Sequence, residues 1–271
     1  MSADGPALPA AAFYEPLGDD RFASTPATAG PWSPDFQHAG PVSALLGRAF
    51  ERHEPAPGTR IARVTAEILG PVPVAPLQVA VRTVRPGRRV ALLEGELRAG
   101  DRPIVRATAW RIAAAPGRLE RTDHTPAPPP LPAASRPLGG WAGAYMDGYL
   151  SAMEWRPTEG SFARPGPAAA WARARIPLVA GEADSPLVRT LTLADSASGL
   201  GSQIDFAKWL IINTDLTVAL HRDPAGEWIL MRARINTDPL GSALAEAVLS
   251  DSSGGFGRAL QTLLVDGLPA G

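Results

Sequence analysis

Residues 113–140 are so rich in Pro and Ala, including Pro126, Pro128, Pro129, Pro130 and Pro132, that they carry no periodic apolar positions. Such a run predicts an extended linker lying over the surface, and the chain on either side repeats one pattern. In the first half, residues 37–51 read as a helix. Pro41 suits its first turn, and Val42, Leu45, Leu46, Ala49 and Phe50 recur at helical spacing. Runs with period-2 alternation follow at 60–69, 77–85, 89–99 and 102–112, separated by Pro86-Gly87 and Gly100-Asp101 turns. The second half reads as strands at 149–156 and 168–178, a helix at 187–198, then strands at 211–221, 227–237, 243–250 and 256–265. This predicts an α+β fold built by duplication. Two antiparallel sheets each wrap a central helix and join as a pseudo-dimer, with domains at 13–112 and 141–266 and the linker 113–140 between them.

Overlaying the halves exposes a difference. Residues 69–73 fall on 220–224, and the turn and strand 100–107 fall on 254–259. Gln261, inside a strongly apolar terminal strand, lands on Ala109, and Asp215 lands on Val64. A buried amide left unpaired costs about 1–3 kcal/mol, so a purely structural need for these polar residues would be expected in both copies. They occur in one.

The absence of cysteine removes thiolate nucleophiles, thiolate metal sites and disulfides from consideration. With a formal net charge of −1 and scattered basic residues, no nucleic-acid footprint is visible. Residues 1–12 lack the regions of a signal peptide, and no apolar run approaches the ~20 residues of a bilayer span. A cytoplasmic protein with no membrane partner is the expectation. His53, His124 and His221 are too dispersed for a metal site or triad, and no Gly-x-Ser-x-Gly elbow exists. Gly199-Leu200-Gly201 lacks the setting of a dinucleotide loop.

The order of elements, with Gln37-His-Ala-Gly-Pro-Val-Ser-Ala-Leu-Leu46 on the first helix and Ile211-Ile-Asn-Thr-Asp-Leu-Thr-Val218 in the second half, resembles the acyl-CoA thioesterase II-like branch of the hotdog superfamily. The resemblance covers residues 13–265. It implies a tandem double hotdog that hydrolyses thioesters of coenzyme A or an acyl-carrier protein without a metal or organic cofactor. It also implies an Asp, a Thr and a Gln from the C-terminal hotdog that orient a water. These fall on Asp215, Thr237 and Gln261, with Asn236 taking the place of Thr237 if the register slips by one. One departure is His38-Ala39-Gly40, where relatives often carry His-Gly-Gly.

Read from the residues themselves, thioester hydrolysis needs a held water, a base and donors for the oxyanion. Alternation through 211–221 puts Asn213 and Asp215 on one face, where Asp215 can serve as the base and Asn213 can hold the carboxylate or the substrate carbonyl; a simply solvated face is the alternative. His38 and Gly40 begin a helix whose free N–H groups could meet a thioester oxygen. Asp195, within the 187–198 helix, reads as solvated or capping. Trp155, Trp171, Trp209 and Trp228 read as core or pocket walls. Two alternatives stay open. A hotdog hydratase or dehydratase would use His38 with a carboxylate, and a non-hydrolytic acyl-thioester-binding protein would keep the fold alone. The fold leaves homo-oligomers open.

Overall fold

The computed structural model describes residues 7–115, 117, 119–135, 143–161 and 164–267. The first half opens with a hairpin of β1 (Tyr14–Gly18) and β2 (Arg21–Ser24), followed by the short pair β3 (Ala29–Gly30) and β4 (Ser33–Gln37). Helix α1 (Ala39–Arg52) comes next, then the meander β5 (Thr59–Ile68), β6 (Pro76–Arg85), β7 (Val90–Ala99) and β8 (Arg102–Ala113). The second half runs α2 (Tyr149–Ala152), β9 (Met153–Ser161), β10 (Arg164–Ala174), α3 (Pro186–Ala194), α4 (Ala197–Leu200) and β11 (Trp209–Asn213). It closes with β12 (Asp215–Leu220), β13 (Ile229–Thr237), β14 (Ser242–Asp251) and β15 (Gly254–Gly267).

The halves do not keep separate sheets. Their strands form one antiparallel sheet in the order β1-β2-β6-β7-β8-β5-β12-β15-β14-β13-β10-β9, with β11 also on β15. Read outward from the β5–β12 seam, the two arms have the same order of elements. At the seam Thr65 pairs with Thr217, and their hydroxyls lie 3.0 Å apart. Thr65 opposes Thr108 on β8, and Thr217 opposes Leu260 on β15. One shift of 152 positions therefore carries the first pair onto the second.

The sheet encloses α1 and α3, which pack antiparallel. Val42, Leu45, Leu46 and Phe50 of α1 are fully buried, each worth about 1.5–3 kcal/mol of transfer free energy. Close approach depends on small residues. A Cβ on Gly47 would strike the Leu191 side chain, and one on Gly40 would collide with the Thr192 carbonyl. That second contact explains why position 40 must be Gly while position 39 accepts Ala.

The strands β1 to β4 were not expected, and three of the expected elements differ. The 187–198 helix is interrupted at Asp195, the C-cap of α3, before α4 begins. The 149–156 strand starts as the helical turn α2. The 211–221 strand is broken at Thr214, the irregular residue between β11 and β12. The first half has its matching irregularity at Ala62, between Ile61 and Arg63 on β5, so both copies carry one extra residue at the same place. Residues 119–135 lie over the second half. Asp123 accepts the Gly255 N–H at 2.8 Å, Trp171 Nε1 donates to the Pro129 carbonyl at 3.2 Å, and Arg156 donates to that of Pro132 at 2.8 Å. The rest of the expected linker at 136–140 is outside the described residues.

Candidate active site

The start of α1 meets the end of α3, and a buried polar cluster forms there. His38 caps α1, its Nδ1 accepting the Gly40 N–H at 3.1 Å. The same nitrogen lies 3.1 Å from Asp195 Oδ2. Across the cluster Asp195 Oδ1 accepts from Asn213 Nδ2 at 2.6 Å and from Gln261 Nε2 at 2.8 Å. Gln261, fully buried, also donates to the Asp195 carbonyl at 3.2 Å, and its Oε1 accepts the Ser198 N–H at 3.0 Å. One amide thus fixes the turn between α3 and α4 and the carboxylate on it.

Tyr149 closes the cluster from α2. Its ring stacks on that of His38 with centroids 3.7 Å apart and planes within 8°. Its hydroxyl donates to the Thr192 carbonyl at 2.9 Å and lies 2.8 Å from Ser196 Oγ. Burial holds the Tyr149 hydroxyl well above its ordinary pKa.

Electrostatics at Asp195 are a contest. Burial penalises the carboxylate, whereas the N–H groups of Ala39 and Gly40 and the amides of Gln261 and Asn213 favour it. Burial prevails, and the carboxyl titrates at about 7 instead of near 3.8. His38 moves the other way, to about 3, because burial penalises imidazolium. The pair therefore enters the neutral range with one proton to give up, centred on the carboxyl. A group titrating near the working pH can both take and return a proton.

The fold brings together His38, Gly40, Asn213 and Gln261 from the sequence expectation, but neither Asp215 nor Thr237. The extra residue at Thr214 reverses the alternation. Ile211 and Asn213 face inward on β11, whereas Leu216, Val218 and Leu220 do so on β12. Asp215 consequently turns outward and accepts the exposed Thr262 N–H at 2.8 Å. With the 152-residue shift its counterpart is Arg63, one position from the expected Val64. Thr237 ends β13 in an exposed position opposite Ala243, which in turn opposes Leu263 on β15. Two strand spacings, roughly 10 Å, separate it from β15. Asn236 is exposed as well. Asp195, read as solvated or capping, is 5% exposed, C-caps α3 and accepts the first N–H groups of α1. Its signal was a charge in a helix otherwise buried, which requires donors.

Among the described residues no group of three or more His, Cys, Asp or Glu is arranged to hold a metal ion. No helix among them is long and apolar enough to cross a membrane.

Comparison with solved structures defines the fold class. A conserved protein of hot dog fold from Alicyclobacillus acidocaldarius superposes with a TM-score of 0.73 at 17% identity, over 94% of this chain and 96% of that one. A candidate thioesterase from Novosphingobium aromaticivorans gives 0.71 at 20% identity, over 93% and 98%. The acyl-CoA thioesterase II TesB2 of Mycobacterium marinum gives 0.66 at 16%, over 95% and 96%. The fold is thus of the hotdog class. At the level of sequence, residues 28–112 match the acyl-CoA thioesterase N-terminal domain and residues 119–265 the acyl-CoA thioesterase C-terminal domain. The chain belongs to the acyl-CoA thioesterase family and is a thioester hydrolase. No curated protein sequence matches it.

Proposed function

We propose that Asp195 is the general base of acyl-thioester hydrolysis, with Gln261 and Asn213 orienting it and the attacking water. The observation that carries this reading is a single buried carboxylate held between the start of α1 and two amides, titrating at about 7. Asn213 is the half-buried member, so water and substrate approach from its side. Asp195 takes one proton from the water, and the hydroxyl oxygen bonds to the thioester carbonyl carbon. The charge that develops on the carbonyl oxygen lies toward the positive end of the α1 dipole. Collapse breaks the C–S bond, and the thiolate leaves with the proton returned from Asp195. The products are the free acid and the thiol of coenzyme A or of an acyl-carrier protein. His38, stacked on Tyr149, shares the Asp195 proton and fixes the carboxyl plane.

The duplicated arms and the Thr65–Thr217 seam support a pseudo-dimer in which each half stands where one subunit of a hotdog dimer would. The domains at 13–112 and 141–266 then correspond to those subunits, and 113–140 to their tether.

A second reading is favoured by one contact. The His38–Asp195 pair is the His-with-carboxylate arrangement that a hydratase requires. Thiol release from a panel of acyl-CoAs separates the readings. The wild type releases thiol, and Asp195→Asn loses that activity while Asp215→Asn keeps it. Hydration of an enoyl-CoA without thiol release would establish the second reading. Binding without either reaction would make the chain an acyl-thioester carrier.

A further inference from the structure

Tyr149 belongs to neither repeated meander. It comes from α2, whose close approach to β3 needs Gly148, since a Cβ there would strike the Ala29 carbonyl. Its side chain is fully buried, and Phe13 packs against the ring with centroids 6.3 Å apart. From that place it touches both sides of the helix junction at once. The ring lies on His38, which starts α1, and the hydroxyl meets Thr192 and Ser196, at the end of α3 and just beyond it.

Capping alone does not ask for such a clamp. At the start of α3 a serine hydroxyl suffices, Ser185 accepting the Val188 N–H at 3.1 Å. An imidazole in that role has two different nitrogens and a ring that turns about its own bond. At His38 the orientation matters. Nδ1 accepts the Gly40 N–H, so it carries a lone pair and the imidazole proton sits on Nε2. The same lone pair faces Asp195 Oδ2 at 3.1 Å. Two acceptors at that distance need a proton between them, and the carboxyl supplies it. Oδ1 already accepts from the Asn213 and Gln261 amides, which leaves Oδ2 for the proton. Turning the imidazole over would put carbon where Nδ1 stands and remove both contacts. Such a turn sweeps the ring through the perpendicular, and a parallel ring 3.7 Å away blocks it.

The geometry points to Tyr149 as a positioning residue of the site. It holds Nδ1 of His38 toward Asp195, and so keeps the imidazole proton on Nε2 and the carboxyl proton on Oδ2, the oxygen that receives it from water. The role rests on Asp195 as the base, but the ring orientation is read without turnover.

Nitrogen-15 spectra of histidine-labelled protein, taken below the pH at which Asp195 ionises, test it directly. Wild-type His38 shows a protonated Nε2 and an unprotonated Nδ1. Tyr149→Leu, which keeps an apolar side chain without the ring, mixes the two tautomers. It also lowers kcat for thiol release about 10–100-fold, and moves the rise of kcat/KM about one unit toward lower pH as water reaches the carboxyl. Tyr149→Phe keeps the ring, retains the wild-type tautomer and pH limb, and serves if the leucine variant does not fold. A wild-type His38 protonated on Nδ1 in that pH range overturns the assignment. So does Tyr149→Leu with tautomer and pH limb unchanged and only a lower Tm, or Tyr149→Phe with the tautomer switched. Absence of thiol release by the wild type overturns the hydrolytic reading instead, and the two failures are read in separate measurements.

Discussion

The antiparallel pair of helices offers two places where one helix starts beside the end of the other, and they hold opposite chemistry. At the start of α1, Asp195 is held by neutral donors, two amides and the first N–H groups of the helix. At the start of α3, Ser185 caps the helix by accepting the Val188 N–H at 3.1 Å and donates to Glu51 at 2.6 Å. There Arg48 grips Glu182 with two hydrogen bonds of 2.7 Å, and Arg52 adds a third of 2.8 Å. The tenth residue after the N-cap is Asp195 in α3 and Arg48 in α1. Where β11 and β15 supply Asn213 and Gln261, β5 and β8 supply Ile61 and Ala109. One end pairs Glu182 with two arginines, while burial raises its Glu51, which a serine hydroxyl holds. The other keeps a carboxyl near its titration point, a condition that burial makes costly and catalysis can use.

The sharpest way to break this contrast is Asp195→Asn. Loss of a general base lowers kcat by roughly 10²–10⁴-fold, read as thiol release from acyl-CoA. The wild-type kcat/KM climbs with pH through about 7 as Asp195 ionises, and the same substitution removes that limb. Stability has the opposite slope. The folded carboxyl titrates above its unfolded value, so its contribution is complete below about 3.8 and is lost as pH rises to about 7. Urea titrations between those pH values should show Asp195→Asn flattening the decline. His38 acts against it, its lowered pKa destabilising the fold as pH drops from 6.5 toward about 3.

Next in size is Gln261→Ala. It strips Asp195 of one side-chain donor and leaves the Ser198 N–H and the Asp195 carbonyl without their partner. A fall in kcat of about 10–100-fold is expected, with a loss of about 1–3 kcal/mol in denaturant unfolding. The first-half exchange Ala109→Gln gains no activity, because no acid stands opposite it. At the other helix end, Ser185→Ala costs about 1 kcal/mol and leaves kcat within about twofold of wild type, a split that thermal melts and steady-state assays resolve. The smallest effect belongs to Asp215→Asn. Its side chain serves an exposed N–H on the outer face, and a kcat change beyond about twofold would contradict the geometry.

The element order was legible because hydrophobic periodicity dictates it twice, and each copy checks the other. Gln261 stood out for the same reason, as an amide in an apolar strand set against Ala109. Asp215 was read as inward because alternation was carried straight through Thr214. One extra residue reverses which face is inward, and no residue type at 213–215 announces it. Asp195 was passed over because its helix was taken to continue past it. The interruption arises from contacts far along the chain, with Gln261 and Tyr149 binding the corner between α3 and α4. Thr237 was grouped with Gln261 for a related reason, since only the strand order shows how far β13 lies from β15.

The seam at Thr65 and Thr217 joins two copies that share one polypeptide, and that has a consequence for how such a molecule can change. In a symmetric pair of identical subunits, every substitution arrives at both helix ends together. Trading Ala for Gln, or Arg for Asp, would then alter the bracing and the chemistry in one stroke. Covalent fusion lets each copy be edited alone. In this chain Arg48 braces one helix end, and Asp195, held by neutral donors, stands at the other.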